Sequence, residues 1–136
     1  MLRREFLFLA AAALVSEAVA EQVAIRGRLV QIPGQPPALD TEQHGTIELD
    51  GDESTVAVLN DQRLTGADLE VVGRFVGPRR FLVGPIHTKA MFVRKNEKRY
   101  LITYWCETCA IRVYRPGLCM CCREEMTLDL QEHRDQ

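Results

Sequence analysis

All five cysteines of this 136-residue chain lie between Cys106 and Cys122. They form two C-x2-C pairs, Cys106/Cys109 and Cys119/Cys122, with Cys121 left over. A C-x2-C step lets two thiolates converge on one ion, and two such steps supply a tetrahedral all-thiolate shell. The pattern predicts a local metal-centred element, not a framework of disulfide staples spread through the fold. An odd count argues against complete intramolecular pairing, and a vicinal Cys121–Cys122 bridge would be strained. The expected ligands are Cys106, Cys109, Cys119 and Cys122, and the expected ion is Zn²⁺.

Between the pairs, Ile111, Val113 and Tyr114 favour a strand, and Arg115-Pro116-Gly117-Leu118 carries the residues of a type II turn. Met126–Leu130 is the expected partner strand. Knuckle, strand, turn, knuckle, strand is a zinc-ribbon hairpin plan, predicted over residues 104–130, with a polar tail over 131–136. Cys121, between two ligands, should point away from the ion.

The run Tyr104-x-Cys106-x2-Cys109, Pro116-Gly117-x-Cys119-x2-Cys122 and Met126-x-Leu128 resembles the heavy-metal-binding domains of bacterial efflux systems. That resemblance implies a ribbon-like fold around a metal. This chain departs from the family pattern at Glu107, where the family has Pro, at Cys109, where it has His, and at Arg123-Glu124, where it has Gly-Met. A transport role for the metal is therefore not implied. All-thiolate shells also hold iron in rubredoxins. Rubredoxin knuckles carry Gly after the second Cys, and Ala110 and Arg123 in those places weigh against iron. Copper(I) would take two or three thiolates, with Met120, Met126 or Cys121 assisting. The Trp105-Cys106-Glu107-Thr108-Cys109 run invites comparison with thioredoxin. A redox C-x2-C needs a helix N-terminus at its first thiol, and Ala110-Ile111-Arg112-Val113-Tyr114 is a poor helix start.

The N-terminus reads as an address. Arg3 and Arg4 make a positive region, Phe6–Val15 is an uncharged apolar run, and Ala18-Val19-Ala20 is an A-x-A cleavage signature. The run is too short to span a bilayer, which takes about 20 residues. The reading is a signal peptide over residues 1–20, cleaved after Ala20, and a periplasmic mature protein with no transmembrane helix. Arg3-Arg4-Glu5-Phe6-Leu7 resembles the core of twin-arginine signals, which implies export of a folded protein with its ion already in place. With 17 Lys+Arg against 19 Asp+Glu and a net charge of −2, global charge points to no polyanionic partner.

The body of the chain, 21–103, patterns as β. Gln22–Ile32 and Thr46–Asp50 read as strands, with a Pro33–Pro37 loop between them. Asp52 can cap a short helix running to about Leu59 or Asn60. Asp68–Val76 is a strand in which Gly73 marks a bulge or a close backbone approach. Phe81–His87 is a strand interrupted at Gly84-Pro85. Ala90–Val93 and Tyr100–Trp105 make a hairpin with a charged tip. Residues 22–93, with a short helix ahead of the later strands, resemble small exported OB-fold-like barrels. The expected fold class is mainly β: a small OB-like barrel with one short helix, then the four-cysteine ribbon hairpin.

Arg79, Arg80, Lys89, Arg94, Lys95, Lys98 and Arg99 form a basic stretch in which Phe92 and Tyr100 could stack on bases. A solvated hairpin that guards a sheet edge explains it better, and no nucleic-acid partner is expected. His87 and Met91 would meet a soft metal only if the Gly84-Pro85 bend brought them together. No nucleophile–base pair stands out, so no catalytic residue is assigned. The sequence reading is an exported metal-binding protein acting as a binding or assembly module in the cell envelope, its partner an envelope protein or surface. The alternative is a periplasmic redox or soft-metal-handling protein.

Overall fold

A computed structural model of the chain describes residues 21–134; the signal segment expected over residues 1–20 lies outside the described residues. The alternating apolar residues of the body form β1 (Val23–Val30), β2 (Ala38–Thr41), β3 (Gly45–Asp50), β4 (Asp68–Gly77) and β5 (Arg80–Val83). They close in the order β1–β2–β3–β5–β4–β1, with β3 and β5 parallel and the other neighbours antiparallel. The helix α1 (Glu53–Leu59) lies between β3 and β4. Five strands closed in this order, with a helix after the third, are the OB-like barrel that the sequence pattern implied.

Closure needs one strand to serve two neighbours. Gly27 of β1 faces Thr41 of β2 and also Leu69 of β4. A Cβ on Gly27 would collide with the carbonyl oxygen of Asp40, so the corner requires glycine. Gly73 is the close approach expected from sequence: its Cβ would strike the carbonyl oxygen of Leu82 across the β4–β5 ladder. The bulge itself falls later, between Phe75 and Gly77. Gly73→Ala is expected to destabilise the barrel by about 1–3 kcal/mol, read as a lower urea midpoint at unchanged slope.

Inside the barrel, Leu39, Ile47, Leu69, Val71 and Phe81 are fully buried. Asp52 caps α1 as expected, accepting from the Thr55 N–H at 2.9 Å. The helix is too short to stand alone. Its buried Val58 and Leu59, with Leu64 of the following 3-10 turn, pack into the barrel core. The four-residue β2 was not expected from sequence, which left 38–41 unassigned. Only Leu39 and its neighbours signal it, and its place is fixed by ladders on both sides.

β6 (Met91–Lys95) and β7 (Lys98–Cys106) form the expected hairpin. Its tip, Asn96-Glu97, has φ of 53° and 65°, as a type I′ turn demands. The hairpin grows from the same edge of β4 that carries β5. Val72 marks the switch: its carbonyl accepts from the Gly84 N–H at 3.0 Å, and its N–H donates to the Ala90 carbonyl at 2.8 Å. The Gly84–Ala90 excursion is why the strand expected over 81–87 stops at Val83.

β7 then runs on to Cys106 and gains two more neighbours, β8 (Ile111–Val113) on one edge and β9 (Thr127–His133) on the other. The Met126–Leu130 strand was expected to pair with the Ile111 strand. Instead both flank β7, because β9 can match seven residues of β7 whereas β8 offers three. The polar tail expected from Gln131 is corrected in the same way. Gln131, Glu132 and His133 continue β9 opposite Leu101, Tyr100 and Arg99. Apolar alternation ends at Leu130, but backbone pairing does not require it, and Lys98 with Glu132 (3.5 Å) and Phe92 with His133 (5.3 Å) close the end. The barrel and the cysteine element share one core, since Tyr104, Cys106, Cys119 and Met126 are buried in the same cluster as Leu59 and Leu64. The expected boundary at 103/104 falls inside β7.

Candidate metal centre

β7 delivers Cys106 at its last residue, and the chain turns at once into the first knuckle. The Ala110 N–H donates to the Cys106 carbonyl at 2.8 Å, and the Cys109 N–H points at Cys106 Sγ, 3.4 Å away. The second knuckle repeats the plan. The Arg123 N–H donates to the Cys119 carbonyl at 2.8 Å, and the Cys121 N–H approaches Cys119 Sγ at 3.4 Å. Ala110 (φ 55°) and Arg123 (φ 68°) both close their turns in the left-handed region. For non-glycine residues that conformation costs roughly 1–2 kcal/mol each, which a bound ion can offset. Since both residues adopt the glycine-like conformation, the absence of glycine there no longer separates zinc from iron.

The two knuckles face each other. The Sγ atoms of Cys106, Cys109, Cys119 and Cys122 all lie within 4.8 Å of one another, and Cys106 Sγ is 3.5 Å from Cys122 Sγ. Metal–sulfur bonds of about 2.3 Å in a tetrahedron put the sulfurs about 3.8 Å apart. The four-cysteine group can therefore hold a metal ion. None of the five cysteines is in a disulfide. Cys106 (2% exposed) and Cys119 (1%) form the inner side of the shell, against the core. Cys109 and Cys122 are half-buried, and Cys121 is exposed.

Backbone donors divide the thiols. The N–H groups of Cys122 and Cys121 lower the Cys119 thiol to about 7. The Glu124 N–H pulls the Cys122 thiol down, but burial and the Cys106 thiol push it up by more. The neighbouring thiols and partial desolvation raise the Cys109 thiol strongly. Coordination deprotonates a thiol outright. Loading Zn²⁺ at pH 7 is accordingly expected to release roughly three to four protons per ion, measured as the buffer dependence of the calorimetric heat. Zinc affinity should then rise with pH and fall steeply on acidification.

The shell rests on a polar clamp that joins it to the barrel. Asp61 accepts from Tyr104 Oη at 2.8 Å and from Arg63 Nε and Nη2 at 3.0 Å each. Arg63 Nη1 donates to the Met126 carbonyl at 3.0 Å, and the guanidinium lies over the Tyr104 ring. Burial alone would raise the Asp61 carboxyl, but hydrogen bonds from Arg63 and Tyr104 hold it below the ordinary carboxylate value. Burial and the Asp61 carboxylate push the Tyr104 phenol far up. On the other face of β7, Arg112 bridges Asp129 and Thr103 at 2.7 Å each and lies over Trp105. Thr108 Oγ1 donates to Glu124 at 3.0 Å, tying one knuckle to the other. The Asp61–Arg63–Tyr104 clamp was not foreseen; Asp61 reads locally as a turn residue, and its Tyr104 partner lies 43 residues on.

The other sequence candidates fall elsewhere. His87 Nε2 lies 2.6 Å from the Tyr114 carbonyl, whereas Met91 is buried in the core. They do not form a metal site. In the basic stretch, Arg94 and Arg99 both reach Glu70 at 3.4 Å, and Phe92 is buried with the Arg99 guanidinium 4.2 Å from its ring centroid. Phe92 is thus not presented for stacking. No described helix is long and apolar enough to cross a membrane. No family model, curated protein or solved structure matches the chain.

Proposed function

We propose that this chain is an exported zinc-binding β protein that acts as a binding or assembly module in the cell envelope, with the ion held for structure. The observation that supports this most is the convergence of four Sγ atoms within 4.8 Å, two of them in the core shared with the barrel. A closed all-thiolate shell leaves no open position for a substrate, and its binding energy goes into folding. The region it organises needs that contribution, because β8 is only three residues long and both knuckles carry strained turns. Zn²⁺ suits a four-thiolate tetrahedron that has no redox task. Export rests on the order of charge, apolar run and A-x-A site in residues 1–20.

Expression of the full chain in a bacterium, followed by fractionation, tests both halves. The mature protein should be found in the periplasm, begin at Glu21, and be colourless. A chelator should remove the signals of residues 107–126 from its amide spectrum. Recovery from the cytoplasm with residues 1–20 intact would contradict export, and iron with visible absorbance would contradict zinc. The second reading, redox or soft-metal handling, is favoured by one observation, the exposed Cys121 beside the shell.

A further inference from the structure

The end of the barrel at which β1 begins is apolar and flanked by arginines. Val23 faces Gly73 of β4, and Phe75, two residues on, lies against Phe81 with ring centroids 5.0 Å apart. In a regular strand Phe75 and Val76 would point to opposite faces. The bulge between Phe75 and Gly77 interrupts that alternation, and Val23, Phe75 and Val76 stay 39%, 36% and 43% exposed. Arg74 precedes Phe75, and Arg79 and Arg80 lead the turn back into β5; all three are exposed. Arg80 reaches Asp50 at 3.5 Å, whereas neither Arg74 nor Arg79 is in an ion pair among the described residues. The turn is tied to β3, since the Arg79 carbonyl accepts from the Glu48 N–H at 2.8 Å. On a chain of net charge −2, two unpaired guanidinium groups beside exposed apolar side chains are a local feature of this end.

We propose that this end of the barrel docks on an anionic phospholipid surface. Phe75 and Val76 enter the headgroup boundary, and Arg74 and Arg79 pair with lipid phosphates. Arginine suits that task because its planar fork bonds two phosphate oxygens at once. Charge complementarity selects an anionic occupant, and area selects a lipid one. A stable protein partner would need about 800 Å² on this side, far more than three partly exposed apolar side chains supply. A bilayer surface needs only a small apolar anchor joined to a few cations. The position in the chain agrees. Residues 1–20, which the export reading places in a membrane before cleavage, join the barrel at this same end, through Glu21 and Gln22 to Val23. The inference rests on the envelope reading above and names the surface. Vesicle binding is measured without cells, so it can fail while export stands.

The test is cosedimentation of the zinc-loaded mature protein, residues 21–136, which holds every described element, with vesicles of phosphatidylglycerol and phosphatidylcholine in equal parts. Each cation near an anionic surface is worth about fivefold in partition, so Arg74→Gln with Arg79→Gln should lower binding about twentyfold. Val76→Ser should lower it about threefold through lost apolar contact. All three positions are exposed, and the variants should keep the amide spectrum of the parent. Binding should weaken as salt shortens the screening length, and it should be absent on phosphatidylcholine alone. The control is Lys95→Gln with Lys98→Gln at the β6–β7 tip, beyond the opposite end of β4. It should stay within about twofold of the parent. No sedimentation of the parent with the anionic vesicles overturns the inference. Equal losses from the arginine and lysine pairs would mean diffuse attraction and also overturn it. So would binding to single-stranded DNA tighter than to vesicles and lost in the arginine pair, which would make this end a nucleic-acid surface.

Discussion

Cys106→Ser is expected to abolish metal binding and unfold the segment from the first knuckle through Met126, while the barrel survives. Cys106 is the hinge of the element. It ends β7, accepts the Ala110 N–H on its carbonyl, and carries a sulfur that touches Cys122 at 3.5 Å from a position 2% exposed. Serine there cannot supply a thiolate, and it places a hydroxyl among Cys119, Met126 and Tyr104. An unpaired buried hydroxyl costs about 1–3 kcal/mol. The larger loss is the ion, whose binding is on the order of 10 kcal/mol in small zinc-folded units. Residues 107–126 contain only three strand residues, so little else holds them. Amide hydrogen exchange reads the outcome: protection should vanish over 107–126 and persist in β1, β3 and β4. Full protection of both regions without metal would show that the ion contributes nothing to the fold.

Asp61→Ala should cost about 2–4 kcal/mol, the upper end of the buried-pair range being reduced because the Arg63 side of the pair is partly solvated. The Asp61 side chain is only 6% exposed, and its carboxylate serves both Tyr104 Oη and the Arg63 guanidinium. Alanine strands a buried phenol and leaves Arg63 to hold the Met126 carbonyl alone. Asp61→Asn keeps an acceptor for Tyr104 and should lose less. The pH dependence follows from the depressed Asp61 carboxyl. Its contribution is complete above the unfolded value of about 3.9 and is lost as pH falls through the lower folded value. Denaturant melts between pH 7 and pH 2 should show the parent losing this increment in acid. Asp61→Ala should lack that part of the slope.

What could be read from sequence follows from distance along the chain. The four-cysteine cluster was legible because its spacing is local, and β1, β3 and β4 were legible because each alternates over several residues. β2 is too short for alternation to register, and its ladders to β1 and β3 supply what its pattern does not. The β9 pairing was misread for a related reason. Met126–Leu130 announces a strand, but only the competition between β8 and β7 decides its partner. The clamp depends on Asp61 meeting Tyr104 across the whole β4–β7 excursion, and Asp61 alone carries no trace of it. The basic stretch was legible as charge, yet Glu70, which binds both Arg94 and Arg99, lies on a different strand.

The most direct test of the central claim is metal analysis of freshly purified full chain combined with a count of reactive thiols. The account predicts one zinc per chain and one fast-reacting thiol, assigned to the exposed Cys121 by its loss in Cys121→Ser. A folded, metal-free protein with its C-x2-C pairs closed as disulfides would contradict it.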